Sequence, residues 1–166
     1  MRAALTLGVF VLLVAAAAFV GAQFTPGPWY QSLRRPPLAP PNWIFGPVWS
    51  VLYLAIAVAA FLVWRSPARG GTGTGTTTAV RLGLGLWATQ LALNALWSYL
   101  FFGLERPGVA LVEIVLLLAT IIATAVVFFS VSRAAGLLFV PYIAWVSFAT
   151  YLNAGFWWLN RGGPAG

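Results

Sequence analysis

The sequence predicts an all-α membrane protein, a five-transmembrane-helix bundle with a proline-rich first loop as lid. Three observations predict it. Of 166 residues, 61% are hydrophobic and 7% charged, against about 25% charged in a soluble domain. Apolar stretches recur along the chain, each near the ~20 residues needed to cross a bilayer core. The breaks between them leave little for a soluble unit, so residues 1–166 form a single integral membrane domain.

The spans are expected at 3–22, 46–64, 80–101, 108–129 and 134–159. Arg2 and the apolar run to Ala22 fit a membrane span, and they fit the outline of a cleaved signal peptide. The alanine and glycine in that run suit close packing in a bundle, which favours a retained helix. Residues 23–42, QFTPGPWYQSLRRPPLAPPN, carry six prolines, which forbid a continuous helix and stiffen the backbone. Holding Trp29, Tyr30, Leu33 and Leu38, the loop reads either as a lid across the bundle or as an interfacial linker with aromatic anchors.

The second span opens at Gly46-Pro47, proline being tolerated in a first helical turn, and places Trp49 and Tyr53 on one face. Arg65, Pro67, Arg69 and the tract GGTGTGTTT follow as a mobile connector. In the third span, a helix advancing about 100° per residue puts Trp87, Gln90, Asn94, Trp97 and Phe101 on one face. Gly85, Ala88, Ala92 and Ala95 fall nearly opposite. An unpaired amide in hydrocarbon costs several kcal/mol, so the amide and aromatic face is expected to look inward. The small-residue face admits another helix closely and is the expected homodimer surface.

After the turn Glu105-Arg106-Pro107-Gly108, the fourth span carries Glu113 about one turn in, with Leu117, Thr120 and Thr124 on the same stripe. An ionisable group inside a membrane is a functional candidate by default. The alternative is a Glu113 shallow enough to reach headgroups or Arg106. The last span contains Pro141, which removes a hydrogen bond and should bend the helix. Tyr142, Trp145, Ala149, Leu152 and Phe156 follow at helical intervals, with Asn153 beside them.

The formal charge of +7 comes from nine scattered arginines and two glutamates, without lysine. Scattered charges at span ends suit anionic headgroups, whereas a nucleic-acid face needs clustering, so no nucleic-acid partner is expected. With five spans the arginines divide almost evenly between the two sides and set no orientation. Cysteine and histidine are missing and Met1 is the only methionine, which excludes thiolate and imidazole metal sites and Cys/His nucleophile pairs. No metal site and no catalytic residue are assigned, and any tetrapyrrole is expected to be held by its ring.

Of the nine tryptophans, Trp29, Trp43, Trp64, Trp157 and Trp158 lie near span ends, where the interfacial aromatic belt accounts for them. Trp49, Trp87, Trp97 and Trp145 lie deeper. Four such faces converging would give a flat-walled apolar cavity with a few amides, a pocket for a planar, greasy molecule.

The run Trp29-Tyr30, Pro36, Pro40-Pro41, Trp43, Gly46-Pro47-Val48-Trp49 and Leu52-Tyr53 resembles the tryptophan-rich sensory protein or translocator protein (TspO/MBR, peripheral benzodiazepine receptor) family. The resemblance continues through Gln90-Leu91-Ala92-Leu93-Asn94, Trp97, Phe101-Phe102-Gly103, Pro141-Tyr142, Trp145 and Leu152-Asn153. It implies five membrane helices, usually a dimer, and a first loop covering a cavity for porphyrins and benzodiazepine-type ligands. It puts Trp49, Asn94, Trp97, Phe102, Trp145, Ala149 and Leu152 at the cavity wall; the face argument adds Tyr53, Gln90 and Phe101. Trp29 and Tyr30 would belong to the lid, and Arg34 or Arg35 would meet propionates at the mouth. Leu38 and Val109 stand where the family often has tryptophan. Ala154 and Trp158 replace the Tyr and Arg of the eukaryotic sterol motif, which puts sterol recognition in doubt.

The expected function is binding of protoporphyrin-like tetrapyrroles and other planar hydrophobic ligands, as sensor, carrier or scavenger, without a cofactor. The alternative is an enzyme for the light-dependent oxidative degradation of porphyrin that the resemblance also implies; no acid/base or nucleophile set accompanies it. A transporter using Glu113 would lack a partner relay. A bacterial inner membrane is expected, no mitochondrial-type presequence preceding the first span.

Overall fold

A computed structural model describes residues 2–66 and 74–162. The described residues are helical, with no strand among them. The helices are α1 (Arg2–Ala22), the short α2 (Pro28–Ser32), α3 (Phe45–Trp64), α4 (Thr74–Ser98), α5 (Pro107–Val131) and α6 (Arg133–Asn160). Four segments, Ala3–Ala22, Asn42–Trp64, Pro107–Val131 and Arg133–Asn160, are long and apolar enough to cross a membrane. The chain is a membrane helical bundle.

The long helices form a closed ring in the order α1, α3, α6, α5, α4, with α3 also touching α4 across the middle. The tightest pair is α5 and α6, joined through Ser132 alone. The Ser132 hydroxyl caps α6 by accepting from the Ala135 amide at 3.4 Å, which satisfies one of the free donors of the first turn. Gly136 makes the close pairing feasible, because a Cβ there would run into the Phe129 ring of α5. α1 joins the ring through Phe10 and Val14, both buried, and Phe10 meets Trp87 edge-on at 5.3 Å.

The two ends of α4 differ most from those expected. Helix α4 begins at Thr74, six residues before the expected Val80, so the second half of the glycine-threonine tract is helical. Residues 67–73, with Pro67, Arg69 and the first part of that connector, lie outside the described residues. At its other end α4 gives way to a wider π turn over Tyr99–Gly103, where the Leu104 amide donates to the Tyr99 carbonyl at 2.8 Å. The first loop holds no continuous helix, in keeping with its prolines. Proline permits a helix that it begins, and Pro28 starts α2. Helix α6 continues through Pro141.

Candidate functional site

The inward face of α4 is built as its periodicity implies. Trp87, Gln90, Asn94 and Phe101 are buried, Trp97 is half-buried, and Gly85, Ala88 and Ala92 on the opposite side are exposed, with Ala95 half-exposed. The two amides enter a chain that crosses the bundle. Tyr53 on α3 donates its hydroxyl to Asn94 Oδ1 at 2.9 Å, and Asn94 Nδ2 donates to the Tyr142 oxygen at 3.2 Å. Tyr142 on α6 donates to Gln90 Oε1 at 2.8 Å. Within a membrane such cross-helix bonds contribute roughly 0.6 kcal/mol each, and they spare the amides the larger cost of lying unpaired. Trp49 stacks on Tyr53 at 5.0 Å and meets Tyr142 edge-on at 6.1 Å. Trp49, Tyr53, Gln90 and Asn94 are thus brought together around Tyr142.

A second group gathers where the π turn meets the loop. Trp97 stacks on Phe101 at 5.2 Å and meets Phe102 edge-on at 5.8 Å. The widened turn lets the consecutive residues Phe101 and Phe102 both face this cluster, their rings 4.9 Å apart. Leu152 and Phe156 from α6 complete it. Trp97 Nε1 donates to Asn153 Oδ1 at 2.9 Å, and Asn153 Nδ2 donates to the Pro107 carbonyl at 2.7 Å.

The proline-rich loop lies on this cluster. Tyr30 is buried against Phe101, Phe102 and Phe156, and Trp29 meets Phe101 edge-on at 5.9 Å. Burial raises the Tyr30 pKa from its ordinary 10.0, and the Arg35 guanidinium, 5.4 Å over the ring, opposes this more weakly. The Arg34 amide donates to Asn160 Oδ1 at 3.0 Å, while Asn160 Nδ2 donates to the Arg34 carbonyl at 3.1 Å. Tyr151 donates to the Pro37 carbonyl at 3.1 Å. Leu38, where the family often has tryptophan, points away from the bundle. It is 79% exposed with φ 65°, the left-handed backbone turning its side chain away from the helices.

Trp145 and Ala149 are half-buried against the Tyr142 side of the core. Trp145 also lines an open apolar groove of about 600 Å³ between α3 and α6, with Pro47, Val51, Pro141 and Phe148 among its walls. Its indole Nε1 is buried without a protein partner. The expected wall residues therefore form two packed clusters bridged by Trp97, with Trp145 facing a groove. Sequence reasoning left out Tyr142, Asn153 and Phe156 as site members. The first two stood in the motif, and Tyr142 and Phe156 stood at the right intervals, but the importance of all three comes from partners on other helices, which a single helix's periodicity does not display. Glu113 is buried within the protein, and neither carboxyl oxygen is hydrogen-bonded to Arg106 or to any other protein group.

The TspO/MBR family model matches residues 10–159. The chain is 43% identical over 154 residues to protein CrtK of Rhodobacter capsulatus, covering 93% of this chain and 92% of the relative. It is 42% identical over 152 residues to the tryptophan-rich protein TspO of Chlorobaculum tepidum, covering 90% and 92%. Against the translocator protein of Bos taurus, identity is 41% over 155 residues, covering 92% and 88%. A bundle of apolar helices with this aromatic and amide interior, matched over nearly its whole length, belongs to the TspO/MBR family.

Proposed function

We propose that the chain is a five-span membrane receptor for protoporphyrin-like tetrapyrroles and other planar hydrophobic molecules, acting as sensor, carrier or scavenger in a bacterial inner membrane. The observation that carries this reading is the stacked Trp49–Tyr53 pair beside the Asn94–Tyr142–Gln90 chain. Flat aromatic surface with a few fixed polar groups is what a planar apolar ligand with a polar edge needs. The partnerless indole N–H of Trp145 supplies a hydrogen bond that such a ligand would accept. The loop supports a lid role by its docking through Tyr30, and the exposed Arg34 and Arg35 suit propionate carboxylates.

A fifth span at α4 is supported by its 25 residues, about 37 Å of helix against a hydrocarbon core of ~30 Å. Its packing between α1 and α5 supports a place in the same bundle. A homodimer through Gly85, Ala88, Ala92 and Ala95 is supported by the exposure of that small-residue face. The test is a titration of the purified protein with protoporphyrin, read by quenching of tryptophan fluorescence. Saturable quenching with one ligand per chain is expected, and linear quenching without saturation would refute the reading.

A further inference from the structure

The chain has two acidic side chains. Glu105 is exposed in the turn before α5, while Glu113 is 5% exposed and both of its carboxyl oxygens lack a hydrogen-bond partner. A neutral hydrogen-bonded chain reaches its neighbourhood through Tyr142. Gln90 of α4, 0% exposed, is bonded to Tyr142 through Oε1, and its Nε2 has no partner. From α6 comes Tyr142, fully buried and close enough to Glu113 for their charges to interact. Tyr53 of α3 follows through the Asn94 link. Arg106 stands before α5 and Arg133 follows its far end, and neither is bonded to the Glu113 carboxyl.

A carboxylate in that setting would hold a full charge in low dielectric with no compensating donor, a cost several times that of a neutral polar group. We propose that Glu113 is a proton-binding site inside the bundle, holding its proton at neutral pH against the chain Gln90–Tyr142–Asn94–Tyr53. When the proton leaves to solvent, the carboxyl becomes a carboxylate beside Tyr142, whose hydroxyl is already committed to Gln90 Oε1. The new charge then acts on that hydroxyl and, through it, on the Gln90 amide. Proton loss at Glu113 is thereby linked to the polar chain that fixes Asn94 and Tyr53.

Infrared spectroscopy of the full-length protein in an ester-free detergent reads the carbonyl stretch of a protonated carboxyl, clear of the backbone bands. The expected result at neutral pH is one such band, lost in Glu113→Gln and kept in Glu105→Gln. Glu113→Asp should retain the band at a shifted frequency, which separates loss of the carboxyl from loss of the fold. Raising the pH should remove it in a single-proton transition. No band at neutral pH, or a band that survives Glu113→Gln, overturns the proposal. No ligand is involved, so the outcome is independent of the tetrapyrrole reading.

Discussion

Trp97 and Asn153 are joined by a 2.9 Å hydrogen bond from indole to amide, and this bond fastens the wall of α4 to α6. Asn153 spends its own donor on the Pro107 carbonyl at the start of α5. One side chain therefore ties three helices. Asn153→Leu removes both bonds. In a soluble core each orphaned group would cost about 1–3 kcal/mol, but partners remain available to an unfolded chain in a membrane, where about 0.6 kcal/mol per bond is typical. The expected loss is roughly 1 kcal/mol, read as a lowered midpoint of thermal unfolding in detergent.

Gly155 faces Pro36, where an added Cβ would lie 2.5 Å from the proline Cβ. Gly155→Ala should push the loop off the bundle and leave the helices in place, since overpacking costs typically about 1–3 kcal/mol. Limited proteolysis should then cut within 23–42 sooner than in the unaltered protein, with unchanged helical circular dichroism.

Trp49→Ala and Trp145→Ala should each weaken protoporphyrin binding by about tenfold, since an aromatic contact is worth about 0.5–1.5 kcal/mol beyond its area and 1.4 kcal/mol is a factor of ten. Trp43→Ala should leave it unchanged, because Trp43 is 73% exposed. Fluorescence titration of the three variants checks the pattern.

Tyr30 supplies a pH test. Burial raises its pKa, so the docked loop binds that proton more tightly than an undocked one does. Its stabilising contribution is full below the ordinary tyrosine value of 10.0 and falls as pH rises through the raised value. Loop protection from protease should drop on that alkaline limb, and Tyr30→Phe should flatten this part of the drop.

Ala92 is exposed on α4 between the exposed Leu82 and Leu96. Ala92→Leu fills the close-approach face and should shift the detergent-solubilised protein from dimer towards monomer, while Ala92→Gly should not. Light scattering coupled to size exclusion measures the shift.

The α4 face was legible because a helix repeats every 3.6 residues, so Trp87, Gln90, Asn94 and Trp97 had to point together. The π turn was not, since no side-chain period in Tyr99–Gly103 marks the extra residue that brings Phe102 alongside Phe101. Gly103 is the partial clue: a Cβ there would lie 2.8 Å from the Phe24 ring. The direction of Leu38 was not legible because loops have no period, and it is set by a left-handed backbone between prolines. The α4 start at Thr74 was missed because glycine and threonine are poor helix formers in isolation, a local preference that the completed helix overrides. Tyr142 became central only once Gln90 and Asn94, some fifty residues away in sequence, arrived beside it.

Asn160 grips residue 34 solely by its peptide groups, through one bond in each direction. The fastening is therefore indifferent to which side chain stands at 34, while it depends wholly on the carboxamide at 160. Swapping the basic group at 34 for another changes the electrostatics of the rim and keeps the clasp shut. Shortening residue 160 releases the clasp and leaves that charge untouched.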